Sequence, residues 1–352
     1  MTVARRRRTR LTWAACTGAA LLAVGILVPL PFVELSPGPT FNVIGEVDGQ
    51  QVIEISGTPT FPTGGNLDMT TVNERGGPGT GIYLGRVLVG WLDREVRILP
   101  RGAIFPDDQR SDAEVKADNV RLFSDSQADS VAAALTFLRR PFRTLVVVNS
   151  VRDGTPADGK LEPGDEIVKV DATVVTEPAD VTRLVGEAKP GDTVTVTISR
   201  SGVETAVPIS TKVSPVDPDR AYLGITVGET YEAPFAIDVT LDGVGGPSAG
   251  LFFSLGIVDK LTPGELTGGR FVAGTGTITP DGSVGPIGGI EQKLVGARSS
   301  GATLFLAPAE NCDEVLATGV PDGLTVARVS TLAEAVTAIE DYVAGRPART
   351  CG

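Results

Sequence analysis

Two glycine-rich turns constrain this chain more than any other feature: Gly-Gly-Pro-Ser-Ala-Gly at residues 245–250 and Pro-Ile-Gly-Gly-x-x-x-Lys at residues 286–293. Each stands between a strand pattern and a helix pattern. Residues 235–240 read as a strand. Glycines then lead through Gly246 and Pro247 to Ser248 and Ala249, where an apolar run begins that extends to residue 258. Ser248 is therefore predicted at or next to a helix N-terminus, where free N–H groups and the positive dipole end suit a developing oxyanion. Residues 273–279 read as a second strand, 280–283 as a hairpin-like turn and 290–298 as a helix, with Lys293 about one turn inside it. The alternation of strand and helix over 221–345 predicts an α/β domain. Its last helix opens with Thr331 and Glu334 in capping-box register and stops before Gly345.

The chain has no histidine. That removes a Ser-His-Asp triad, a Cys-His pair and any histidine metal site. If Ser248 is a nucleophile, its base is a lysine or a carboxylate, and Lys293 is placed for that task. A lysine with an ordinary pKa of about 10.4 is almost wholly charged at neutral pH and cannot accept a proton. An apolar, desolvated setting disfavours the charged form. Ile290, Leu294 and Val295 supply apolar neighbours along the helix, and a hydroxyl from Thr275 would orient a neutral amine.

At the N-terminus, residues 1–10 carry five arginines and no acid, and residues 11–32 carry no charged side chain. Such a run is long enough to cross a hydrocarbon core of about 30 Å at about 1.5 Å per residue. Its basic flank predicts a cytoplasmic tail at 1–10 and an uncleaved single-pass anchor at 11–32, with the rest of the chain extracytoplasmic. No small-x-small cleavage site closes the run. The whole chain carries a net charge of −12, all the basic excess lying in that tail, so no nucleic-acid surface is expected. Of three cysteines, Cys16 sits in the predicted anchor, while Cys312 and Cys351 would face an oxidising compartment. A disulfide between them would pin the C-terminal tail, residues 346–352; two free thiols are the other reading. There is no Cys-x-x-Cys, and no metal or cofactor is expected.

Between the two ends, residues 36–125 form a β-rich region. Then come a helical period at 126–139, a strand at 144–151, a Gly-Thr-Pro-Ala turn at 154–157, a Leu-x-x-Gly-Asp-x-Ile segment at 161–167, a helix at 179–188 and a strand at 193–200. This order resembles a bacterial PDZ domain, placed at 126–212, with 212–219 as a Pro- and charge-rich linker. PDZ domains capture a peptide as an added strand and hold its carboxylate with backbone N–H groups of a Gly-rich loop. Counted back from Pro156-Ala157, the matching stretch here is Arg143-Thr144-Leu145-Val146, without glycine. Arg139, Arg140 and Arg143 form a basic edge beside it.

Taken jointly, Gly246-Pro247-Ser248-Ala249-Gly250, Thr275-Gly276-x-Ile278-Thr279, Gly282-x-Val284 and Pro286-Ile287-Gly288-Gly289 followed by Lys293 closely resemble the proteolytic domain of the Lon serine proteases over 221–345. With the anchor and the PDZ-like segment, the chain resembles the membrane-anchored PDZ–Lon-like proteases of bacteria. The resemblance implies an α/β (α+β) Lon-type fold, Ser248 as nucleophile, Lys293 as general base, Thr275 as its orienting neighbour, and peptide-bond hydrolysis through an acyl-enzyme. It also implies a homo-oligomeric ring and protein or peptide substrates. Two positions depart from the ATP-dependent members: Gly245 stands where they often carry an acid, and Thr277 where they often carry Glu. No Gly-x-x-x-x-Gly-Lys-Ser/Thr occurs, so no ATPase module is expected and flexible or misfolded extracytoplasmic substrates are. The rival functions are a catalytically silent Lon-like/PDZ scaffold and a signal-peptidase-like processing enzyme making a few defined cuts.

Overall fold

The computed structural model describes residues 13, 16, 25, 28–77, 80–106 and 111–352. Two compact units emerge: Met1–Leu138 together with Ile237–Gly352, and Arg139–Ala236.

The first unit is organised by a six-stranded mixed sheet. Its strands are β1 (Phe32–Asn42), β2 (Asn66–Arg75), β3 (Arg97–Pro100), β4 (Phe271–Gly274), β5 (Leu304–Pro308) and β6 (Thr325–Val329), in the order β6-β5-β4-β2-β1-β3. The β6, β5, β4 and β2 strands run parallel, and β1 is antiparallel to both β2 and β3. Every residue of β5 is buried, as the near-continuous apolar run Leu-Phe-Leu-Ala-Pro requires of a strand covered on both faces. The helices of this unit include α1 (Leu84–Leu92), α2 (Asp112–Phe137), α3 (Gly250–Leu261) and α4 (Ile290–Ser299). Helix α4 makes the crossover from β4 to β5. Helix α3 is buried almost all round, and Phe253 meets Phe123 of α2 edge-on at 5.8 Å between ring centroids. Helix α2 opens on a capping box between Ser111 and Glu114.

This arrangement divides the chain otherwise than at 36–125, 126–212 and 221–345. Residues 36–125 are not a region apart, because Asn66–Met69 of β2 pair with Phe271–Gly274 of β4. The helix at 126–139 packs with the first unit. It is the C-terminal half of α2, whose Ala132, Ala133, Ala134 and Leu135 are buried within the first unit. Periodicity shows that a segment has an apolar face, but not which element covers that face.

The second unit holds strands Arg143–Val151, Glu166–Val170, Thr193–Arg200 and Val203–Ser210 and the helix Pro178–Glu187 around a core of Val146, Val148, Ile167, Val194, Val196 and Ile198. The chain does not leave this unit at 212. Lys212–Val213 pairs with Ala221–Tyr222, and Ile225–Glu232 pairs along the whole of Arg143–Val151 to form the last strand of the sheet. The Pro- and charge-rich stretch is thus a turn inside the domain. Composition marks an exposed segment and does not reveal that the next strand returns to the same sheet.

The predicted anchor lies mostly on residues outside the described set. Its described end is extended: Pro29–Leu30 pairs with Ile82–Tyr83, and Phe32 opens β1. Pro29 and Pro31 have no amide hydrogen to give and disfavour helix at the residues before them. Among the described residues no helix is long and apolar enough to cross a membrane.

Candidate active site

The serine turn is fastened from two sides. On one side lies α2. Asn119 accepts the Gly246 N–H through its carbonyl at 2.9 Å, the Ser126 hydroxyl donates to the Pro247 carbonyl at 3.0 Å, and the Gln127 amide donates to the Val239 carbonyl at 2.8 Å. On the other side, the Ser248 carbonyl accepts both the Gly276 N–H at 3.0 Å and the Thr275 hydroxyl at 2.9 Å. Gly246 needs its glycine, since its φ is +83°. Gly250 needs it for space: a Cβ there would lie 2.6 Å from Ile278 and 2.7 Å from the Ser126 hydroxyl. The helix after the turn begins at Gly250, two residues beyond Ser248, and among the described residues the Ser248 and Ala249 N–H groups make no backbone hydrogen bond. Two free donors at a helix N-terminus are suited to stabilising an oxyanion.

The lysine turn is fastened by Asn311. Its side chain accepts the Ile287 N–H at 3.0 Å and donates to the Ile287 carbonyl at 2.9 Å. Gly289, in the left-handed region at φ +69°, then turns the chain into α4. Lys293 is the fourth residue of that helix and only 1% exposed. Its amine donates to Thr275 Oγ1 at 2.9 Å. Burial holds the amine down at about 7. Among the described residues no carboxylate pairs with it, so the loss of hydration is not offset and the neutral form gains.

Ser248 and Lys293 line one cavity of about 420 Å³, together with Pro247, Thr277, Pro286 and Ile287. Thr275 is wholly buried behind it, and Ala249 is buried where α3 begins. The Ser248 hydroxyl itself has no hydrogen-bond partner among the described residues, leaving it free to turn toward the amine. Ser248 also borders a second cavity of about 450 Å³, lined by Val72, Asn73 and Glu74 of β2, Asn119 of α2 and the glycines 243, 245, 288 and 289. Both departures from the Lon pattern face these cavities, Thr277 the first and Gly245 the second. A neutral amine beside a hydroxyl, with free backbone donors adjacent, can take a proton from the serine and hold a tetrahedral oxyanion.

Several site residues escaped the sequence pattern. Asn119, Ser126 and Gln127 lie on a helix with no motif, and Asn311 lies in a short 3₁₀ turn. Gln292 is 1% exposed and neither its amide nitrogen nor its oxygen has a partner among the described residues. Its position beside Lys293 in the lysine motif was the one available hint. Cys312 and Cys351 lie with sulfurs 2.11 Å apart and Cα atoms 5.0 Å apart, directly after Asn311.

The second unit carries a groove of about 230 Å³ between the helix Pro178–Glu187 and Leu223, Ile225 and Val227, with Arg220 on its wall. The glycine-bearing loop beside it is Tyr222-Leu223-Gly224-Ile225, with Gly224 at φ +87°. It is not Arg143-Thr144-Leu145-Val146, a stretch of strand that pairs with Glu229–Glu232. The loop comes after the other strands in sequence, so counting back from Pro156-Ala157 could not reach it.

Residues 123–211 match the PDZ domain family, and residues 242–340 match the Lon protease (S16) C-terminal proteolytic domain. Lon protease 1 of Bacillus subtilis (strain 168) is 38% identical over 91 residues, which is 25% of this chain and 12% of that protein. Lon protease 2 of Herpetosiphon aurantiacus is 44% identical over 66 residues, 19% of this chain and 8% of that protein. The chain thus spans about a tenth of the length of the curated relatives it matches. Among solved structures, the PDZ domain of the SdrC-like protein of Listeria innocua is 24% identical, with a TM-score of 0.22, covering 24% of this chain and 92% of that one. The chain therefore carries a PDZ domain and, in the unit that brings Ser248 and Lys293 to one cavity, the proteolytic domain of the Lon proteases.

Proposed function

We propose that this chain is a membrane-tethered, ATP-independent serine endopeptidase that cleaves unfolded or flexible extracytoplasmic protein segments with a Ser248–Lys293 dyad. The observation that carries the reading is the buried amine of Lys293, held at about 7 and oriented by Thr275. Neutral Lys293 takes the Ser248 proton as Oγ bonds to the scissile carbonyl carbon. The C–N bond then breaks, and Lys293 returns the proton to the leaving amine. Water, deprotonated by the same amine, hydrolyses the ester. Beyond Met69, β2 has no backbone pairing with β4, and residues 71–74 border the cavity beside Ser248, an edge on which an extended substrate adds as a strand. The apolar run at 11–32 tethers the protein, the Cys312–Cys351 disulfide fixes the tail, and copies associate as a homo-oligomer. The PDZ groove recruits extended peptides with an apolar end, Arg220 meeting a carboxylate.

The test is cleavage of an unfolded protein by the full chain, by Ser248→Ala and by Lys293→Ala. Both variants are expected to lose activity while keeping the parent circular dichroism; undiminished cleavage by either removes the dyad. The unpartnered Ser248 hydroxyl favours one rival, a silent scaffold, and for that rival a serine-directed reagent would leave Ser248 unlabelled.

A further inference from the structure

Helix α1 is apolar except for one side chain. Its nine residues contain one charge, Arg86, which pairs with Glu34. A helix of this kind is normally covered on every side, by core or by lipid. Here only Val87 and Gly90 face inward, Gly90 so closely that a Cβ would lie 2.6 Å from Ile98. At about 100° per residue, Leu88, Val89, Trp91 and Leu92 fall on one arc of about 160°, Trp91 at its edge nearest Val87 and the other three opposite Val87 and Gly90. They are exposed by 49, 60, 63 and 87%, and Tyr83 just before the helix by 51%. Contiguous exposed apolar surface on this scale marks an interaction site.

The chain itself indicates what covers this face. The apolar run ends at Pro29–Leu30, which pairs with Ile82–Tyr83, and α1 begins at the next residue, Leu84. Gly25, within the run, lies against α1, since a Cβ there would stand 2.7 Å from Leu84. The exposed face therefore borders the point where the apolar run meets the folded unit. A tryptophan and a tyrosine at that level match the aromatic residues enriched at bilayer interfaces.

We propose that Leu88, Val89, Trp91 and Leu92 dock into the headgroup boundary of the bilayer that the apolar run enters, so that α1 lies in the membrane surface as a second contact for the protease unit. This rests on the membrane-tether reading. Burying these side chains at the acyl boundary suits an interfacial helix.

The chain has two tryptophans, Trp13 in the run and Trp91 on α1, and this permits a test that separates the two claims. Full-length Trp13→Phe, with Trp91 as sole tryptophan, and full-length Trp91→Phe, with Trp13 alone, are reconstituted in phosphatidylcholine/phosphatidylglycerol vesicles with acyl-brominated lipid. The docking reading expects Trp91 to be quenched, and Leu88→Glu/Leu92→Glu in the Trp13→Phe background to abolish that quenching while the protein still floats with the vesicles. Quenching of Trp13 without quenching of Trp91 overturns docking and leaves the tether standing. Quenching of neither overturns both. An unquenched Trp91 together with cysteine cross-linking between copies through Leu92→Cys assigns the face to a second copy and equally overturns docking.

Discussion

Lys293 donates to Thr275, and the donor order along that contact is decided by the next atom. The Thr275 hydroxyl hydrogen is committed to the Ser248 carbonyl at 2.9 Å, so its oxygen can only accept from the amine, also at 2.9 Å. A neutral amine has two N–H bonds and one lone pair. With one N–H spent on Thr275, the lone pair is left over, and Lys293 lines the same cavity as Ser248.

The first prediction comes from the protonation of that amine. With Lys293 at about 7, kcat/KM is expected to rise with pH through about 7 and level off above it, falling about tenfold per unit on the acid side. A pH profile of peptide hydrolysis checks this. A profile flat from pH 5 to 9 would remove lysine deprotonation from the mechanism.

Thr275→Val should keep the fold, because valine matches the shape of threonine, but it removes both the acceptor for Lys293 and the donor to Ser248. A loss of roughly 10- to 100-fold in kcat with little change in KM is expected for a positioning group. Thr275→Ser, which restores the hydroxyl, should recover most of it.

The buried amine of Lys293 lowers the stability. In the unfolded chain Lys293 titrates near its ordinary value of 10.5, and in the folded chain near 7. Between those values the unfolded state binds more protons, so stability rises with pH by up to about 1.4 kcal/mol per unit, and the full penalty is felt below 7. Lys293→Met, which keeps the volume without the amine, should therefore raise the melting temperature, most at pH 6 and least near pH 10. Thermal scans of both proteins across that range decide it.

Gly250→Ala is expected to be destabilising despite the good helix propensity of alanine, by about 1–3 kcal/mol, because the new methyl meets Ile278 and Ser126 below 3 Å. Chemical denaturation measures this. It should also cut activity, since Ser126 holds the Pro247 carbonyl.

Reduction of a Cys312–Cys351 bond, which closes a loop across a separation of 39 residues, should cost about 2–4 kcal/mol. Non-reducing mass analysis of the purified protein establishes whether the bond is present, and a melt with and without reductant measures its contribution.

The turns that carry the site were largely legible in the residues. The glycines and prolines of Gly246-Pro247-Ser248-Ala249-Gly250 and Pro286-Ile287-Gly288-Gly289 marked two turns that lead into helices, because such turns demand those residues at set places. The strand patterns at 144–151 and 193–200 and the helix near 179–188 were equally local and emerged within a residue of their positions.

Only the tertiary structure decided which segments close around that site. That β2 pairs with β4, that α2 clamps the serine turn through Asn119, Ser126 and Gln127, and that Ile225–Glu232 returns to the PDZ sheet beside Gly224 are all pairings between segments far apart in the chain. Local propensity is set by each residue and its near neighbours. The burial that lowers the Lys293 pKa belongs to no single segment, because it depends on which distant side chains exclude water from the amine.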